Sequence, residues 1–357
     1  MPSFSHLPAE LRLCIAEVSS PRDCFNFALV NRATWELIKP IIKRHKTLAE
    51  KYSWLQTESS EHLVWTLLND VLENPDVASY VRSIELNGSR EVWHDPQVYY
   101  HTVLDQESLR PPPRDVERYV LAANRSPFLR TPLEPTMQSE RMHNSEPMDL
   151  DQIIADGADG PIVALLLPML ENLQTLCYTM AGDCHWLLHI LRQVVLAAHD
   201  QSRLSLPLPL PFQKLTRVSI ACWSEDGGGD RWLHCILSLP ALESFSANSL
   251  RGIDFSLTAD DELRSMAPTS YNVSRLEFTH SDLDSSFLEW VIGRCKALKV
   301  FRYQNGAMHE SFARYDPRAL IAALISNCSQ TLEELVLVDL EGSNRVSLSL
   351  RTRPTDN

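Results

Sequence analysis

The stretch "PFQKLTRVSIACW", residues 211–223, carries the pattern that decides the fold. Its apolar positions Leu215, Val218 and Ile220 form Leu-x-x-Leu-x-Leu with apolar substitutes, and Phe212 stands three residues ahead. Val218 and Ile220 are two apart, so an extended backbone turns both to one side and Arg217 and Ser219 to the other. The spacing recurs at Leu173/Leu176/Tyr178, Leu242/Phe245/Ala247, Val273/Leu276/Phe278, Leu298/Phe301/Tyr303 and Leu332/Leu335/Leu337, with an earlier copy at Val81/Ile84/Leu86. From Leu173 onward the first positions step by 42, 27, 31, 25 and 34 residues. Leu170, Leu239 and Cys295 repeat the extra apolar residue supplied by Phe212.

Helical patterns lie between these strands at Trp186–His199, Arg231–Leu239, Ser286–Cys295 and Pro317–Cys328. Asp183, Asp230, Asp284 and Asp316 sit just upstream, as caps or first-turn charges. Strand–helix units that cannot bury their faces alone stack on one another. The run resembles a degenerate leucine-rich repeat, without the regular Asn after the strand and with uneven repeat lengths. That resemblance implies an irregular α/β solenoid; an ordinary α/β domain with a parallel sheet is the alternative. In a solenoid the strand residues between the apolar ones line the concave face. They include Arg217, Ser219, Ser244, Ser246, Arg275, Glu277, Arg302, Gln304 and Glu334. Arg217, Arg275 and Arg302 are candidate target-binding residues for an acidic or phosphorylated segment. Alternatively, Glu277 pairs with Arg302 across neighbouring strands.

The N-terminus reads as three short helices. Leu7, Leu11, Ile15 and Val18 share one helical face, and Pro8 suits the first turn. Ser20 reads as an N-cap with Pro21 and Asp23 behind it, and Asn31 caps a third helix carrying Trp35, Ile38, Ile41 and Ile42. A module of about 45 residues with apolar residues nearly all round is marginal alone. Its surplus apolar surface either docks on the rest of the chain or belongs to a partner. "LPAEL", "SPRD" and "ALVNRATW" resemble an F-box over residues 3–46. The resemblance implies binding to the Skp-type adaptor of a cullin–RING ubiquitin ligase. By position, the adaptor-binding residues are Leu7, Pro8, Leu11, Ile15, Pro21, Leu29 and Val30, with Trp35 in internal packing. Ser19 and Cys24 stand where that family usually has leucines, which removes apolar area and weakens either the adaptor contact or the module.

Composition bounds the rest. The 357 residues are 44% hydrophobic and carry a formal charge of −13, which opposes a bulk grip on nucleic acid. The longest apolar run, Pro161–Leu170, is shorter than the roughly 20 residues a membrane helix needs. Met1 is followed by no secretory pattern, so a cytoplasmic or nuclear location is expected, with reduced cysteines. Neither a cofactor nor a membrane partner is expected. Walker, Gly-x-Ser-x-Gly, Gly-x-Gly-x-x-Gly and Cys-x-x-Cys motifs are absent. Glycine-rich Ser224–Asp230 is acidic and reads as a turn. Cys177, Cys184, His185 and His189 are the best metal-like cluster, in a spacing that also fits packing and surface histidines. His309-Glu310 lacks a zincin's second histidine. An enzyme is not expected.

The expected organisation is therefore an F-box at 1–50, linking helices and a first repeat-like strand at 51–88, and a Pro/Ser-rich insert at 89–160. The insert is expected to be partly disordered, chiefly Ser126–Asp149, with Asp115–Asn124 helical. Degenerate repeats follow at 161–340 and a polar tail at 341–357, which lacks a capping unit and reads as truncated or divergent. Together these features resemble fungal F-box proteins with irregular leucine-rich repeats. The implied function is substrate recognition for an SCF-type ligase. A ligase-independent interaction scaffold with a degenerate F-box is the alternative.

Overall fold

The computed structural model describes residues 7–57, 63–87, 113–129, 149–180, 185–199, 210–222, 229–250, 270–306 and 315–339. Three helices come first, α1 (Ala9–Val18), α2 (Pro21–Ala28) and α3 (Arg32–Tyr52). There follow β1 (Trp54–Thr57), α4 (Leu63–Glu73), β2 (Ser83–Asn87), α5 (Pro113–Arg125), α6 (Leu150–Ala155), α7 (Asp159–Leu166) and β3 (Thr175–Met180). The chain continues through α8 (His185–His199), β4 (Arg217–Cys222), α9 (Gly229–Leu237), β5 (Ser244–Asn248) and β6 (Arg275–Ser281). The last described elements are α10 (Ser285–Arg294), β7 (Val300–Asn305), α11 (Pro317–Cys328) and β8 (Glu334–Asp339).

The fold is α/β. Among the described residues there are eight strands, all parallel and side by side in chain order in one open sheet. No strand order reverses, so the sheet lacks the switch point of a doubly wound domain. A shared crossover hand puts the connections of such a sheet on one face. Burial agrees: β2 and β5 alternate half-buried and buried residues, as expected when one face is covered and the other open.

The recurring apolar pairs become two in-register ladders. One runs Leu55, Ile84, Leu176, Val218, Phe245, Leu276, Phe301 and Leu335. The other runs Leu86, Tyr178, Ile220, Ala247, Phe278, Tyr303 and Leu337 from β2 onward. Both ladders are buried. The first members of each triplet are buried too, and so are Leu170, Phe212, Leu239 and Cys295. Leu170, Phe212 and Leu239 close a turn before the strand, their carbonyls accepting from Leu173, Leu215 and Leu242 N–H at 3.1, 3.1 and 3.3 Å.

One backbone device repeats ahead of each strand after the first. The Gln174 carbonyl accepts from both Thr216 N–H (2.9 Å) and Arg217 N–H (3.0 Å). The carbonyls of Ser53, Arg82, Thr216, Glu243, Ser274 and Lys299 serve the following strands in the same way.

α3 joins two cores. Ile38 and Ile41 enter a small core with α1 and α2, whereas Tyr52, Leu48 and Ala49 pack into the main core under the sheet. Buried His45 bonds through Nδ1 to the hydroxyl of buried Tyr80, and Tyr52 donates to Asp70 Oδ2 at 2.5 Å.

Several sequence expectations meet the structure directly. Asp284 and Asp316 cap α10 and α11, accepting from Ser286 and Arg318 N–H at 2.8 Å each, and Asp230 falls in the first turn of α9. Asp115–Asn124 is helical within α5. Ser126, Phe128 and Leu129, expected at the start of a disordered run, are instead buried. Apolar Phe128 and Leu129 have main-core partners, and Gln193 Nε2 donates to the Phe128 carbonyl at 3.1 Å. β1 was not anticipated. Asp183, the Ser224–Gly228 turn, His309-Glu310 and the tail after Leu340 lie outside the described residues. Among the described residues no helix is long and apolar enough to cross a membrane.

Phe278 is fully buried, with ring centroids 6.0, 6.4 and 6.3 Å from Phe245, Phe301 and Tyr303. Phe278→Ala is expected to cost about 3–5 kcal/mol in urea unfolding. Burial, then the Arg44 charge, lowers the His45 pKa below 6.5, while Asp76 opposes them. The unfolded chain therefore binds the proton more readily, so stability is lost as pH falls through and below 6.5. The urea midpoint should drop between pH 7.5 and 5.5, and drop less in His45→Phe.

Candidate functional site

Two surfaces present the residues singled out from sequence. The first is built by α1 and α2. Ser20 caps α2 as read from sequence: its hydroxyl accepts from Asp23 N–H (3.2 Å) and donates to Asp23 Oδ2 (2.7 Å), with Pro21 next. Asn31 Oδ1 caps α3 through Thr34 N–H (2.8 Å). Arg12 Nη1 ties α1 to α3 through Thr34 Oγ1 (3.3 Å).

The three helices share a small core of Ala16, Cys24, Ala28, Ile38 and Ile41, flanked by Leu13, Phe27, Trp35, Leu37 and Ile42. Leu13 and Ala16 take the inner side of α1, which leaves the Leu7-Leu11-Ile15-Val18 stripe facing outward. Leu11 is 50% exposed and Val18 85%, while Leu7 and Ile15 are half-buried. Pro8 is exposed and Pro21 half-buried; Leu29 and Val30 are 62% and 55% exposed. All seven candidate adaptor contacts thus retain solvent access, and Trp35 is partly buried as expected.

Two exposed apolar residues escaped the positional reading, Val18 and Phe25. The signal was available in spacing: Val18 follows Leu11 by seven and Phe25 precedes Leu29 by four, each pair on one helix face.

Ser19 and Cys24 separate into different roles. Ser19 donates its hydroxyl to the Ile15 carbonyl (2.6 Å) at the end of α1. Cys24 is fully buried in the small core, and burial pushes its thiol pKa up. Its small side chain bears on module packing rather than on the outer face.

The second surface is the open face of the sheet. One row across the strands reads Ser83, Thr175, Arg217, Ser244, Arg275, and the next Glu85, Cys177, Ser219, Ser246, Glu277, Arg302. Arg275 Nη1 donates to Glu277 Oε1 (2.8 Å) and Arg302 Nη1 to Glu277 Oε2 (3.3 Å). Arg302 also reaches Glu334 Oε1 through Nε (2.8 Å) and Nη2 (2.7 Å). The hydrogen bond to Glu334 is the main cause of its raised pKa. Arg275 and Arg302 are therefore neutralised by carboxylates of the same face. Arg217 is exposed between Thr175 and Ser244. Ser246 donates to Ser219 at 2.8 Å, so the second row is small and uncharged at β4 and β5.

The metal-like cluster does not assemble from its described members. Cys177 is on the open face, whereas His189 is buried in α8 against Gln193 (2.5 Å). Cys184 and the His185 side chain lie outside the described residues. Among the described residues no three His, Cys, Asp or Glu side chains are grouped to hold a metal ion.

The Arg275–Glu277–Arg302–Glu334 chain is roughly two-fifths exposed at both arginines. Solvent screening keeps such pairs weak. Glu277→Gln is expected to cost less than about 1 kcal/mol by chemical denaturation, with a smaller loss at high salt.

No family model, no curated protein and no solved structure matches the chain.

Proposed function

We propose that the chain is a substrate-recognition subunit of an SCF-type E3 ubiquitin ligase, with an N-terminal F-box and a degenerate leucine-rich-repeat solenoid. The reading rests on the sequence resemblance and one structural observation. Of the eight exposed large apolar residues among those described, five (Leu11, Val18, Phe25, Leu29 and Val30) are in or immediately after α1 and α2. Such a concentration on a module with its own small core is the mark of a surface meant for a partner. Leu7, Pro8, Leu11, Ile15, Pro21, Leu29 and Val30 form the adaptor contact. The open sheet face receives the target, with Arg217 the best-placed cation, because Arg275 and Arg302 already have carboxylate partners.

The chain contributes no chemistry of its own in this reading. It holds a target close to the ligase's charged ubiquitin donor and so raises its effective concentration. α3 supports that role. Its 21 residues span about 30 Å and are anchored in both cores, so both surfaces ride on one element.

The alternative is a ligase-independent scaffold, favoured by the short Ser19 and Cys24 side chains. Capture by a purified Skp-type adaptor separates the two. The wild-type chain is expected to bind, and Leu7→Asp with Pro8→Ala to lose binding at least about tenfold, or 1.4 kcal/mol. A folded wild-type chain that ignores the adaptor favours the scaffold. Undiminished binding by the double variant overturns the assigned contact.

A further inference from the structure

The chain is acidic overall, at −13, yet α3 carries six lysines and arginines against two glutamates. Arg32, Lys39, Lys43 and Lys46 recur at spacings of seven, four and three, which lines them up along one side of the helix. All four are exposed. Lys39 and Lys46 have only loose intrahelical partners, Glu36 at 3.9 Å and Glu50 at 3.7 Å, with more than half of each side chain in water. Those pairs leave most of the positive field in place.

The basic row borders the apolar face. Phe25, 46% exposed, meets Trp35 edge-on with ring centroids 6.3 Å apart. Trp35 lies three residues after Arg32 and four before Lys39, so the exposed apolar surface of α2 passes through this aromatic pair to the lysine row.

We propose that the protein docking on α1 and α2 carries an acidic flank that faces Arg32, Lys39, Lys43 and Lys46, and that this row steers its association. The inference rests on the adaptor reading and adds the chemistry of the partner's flank. An otherwise acidic chain repels an acidic protein; a local basic row offsets that repulsion where the surfaces meet. Charges at an interface rim act mainly on the association rate, and apolar anchors on dissociation.

The test is stopped-flow association of the full chain with a purified Skp-type adaptor at 50 and 500 mM salt. The Lys39→Glu, Lys43→Glu, Lys46→Glu variant is compared with Leu11→Asp, both checked for unchanged circular dichroism. The expected result is a wild-type rate that falls with salt, a rate about tenfold lower at low salt in the charge variant, and unchanged dissociation. Leu11→Asp should instead speed dissociation. Wild-type binding with a salt-independent rate and no effect of charge reversal overturns the acidic flank and leaves the adaptor reading standing. No wild-type binding overturns both. Sedimentation with phosphatidylserine vesicles, lost in the charge variant while adaptor rates stay equal, assigns the row to lipid and also overturns the proposal.

Discussion

Each strand after the first is held at its start by a single carbonyl oxygen that accepts from two successive N–H groups. Ser53, Arg82, Gln174, Thr216, Glu243, Ser274 and Lys299 supply these oxygens in turn. The shared acceptor sets every strand at the same height as its neighbour. With that height fixed, residues two apart on each strand must align across the sheet, and the two apolar ladders follow. A slip of one residue would turn the whole buried set of that strand to the open face. The charge chain of Arg275, Glu277, Arg302 and Glu334 depends on the same alignment.

α3 extends that order to the N-terminal helices. Its first half closes the small core and its second half enters the large one. Pro40 lies near the changeover, in a helix that continues through it. The small core is modest, five buried residues including Ala16, Cys24 and Ala28. A module of this size gains from sharing a helix with a larger core. The outward faces of α1 and α2 are then free of structural duty, and Leu11 and Val18 can be apolar without serving the fold.

Much of this was legible in the sequence because it is local. Apolar residues two apart mark strands wherever one face is buried, and Ser20, Asn31, Asp284 and Asp316 cap helices through bonds within three residues. β1 was hidden because its four residues, Trp54 to Thr57, read apolar, apolar, polar, polar and show no alternation in sequence, although Trp54 is exposed and Leu55 buried. The α1 stripe was visible as a stripe, but a helical period does not say which side is inward; Leu13 and Ala16 take that side. Phe128 and Leu129 were masked by the prolines and polar residues around them. The neutralisation of Arg302 depended on register, since Glu277 and Glu334 come from different strands on either side of it. Sequence reading pairs Glu277 with Arg302 and puts Glu334 on the same face, but only the register brings Glu334 to Arg302.

The segment between β2 and β3 runs over residues 88–174, while that between β6 and β7 takes only 282–299. Both pairs of strands nevertheless join at the same height through the same kind of carbonyl. By chain entropy alone, closing the longer connection costs only about 1.4 kcal/mol more, because the penalty grows with the logarithm of length. A sheet aligned at its strand starts is therefore tolerant of added sequence between strands. Such a fold can lengthen, decorate and diverge its connections while its open face keeps one geometry.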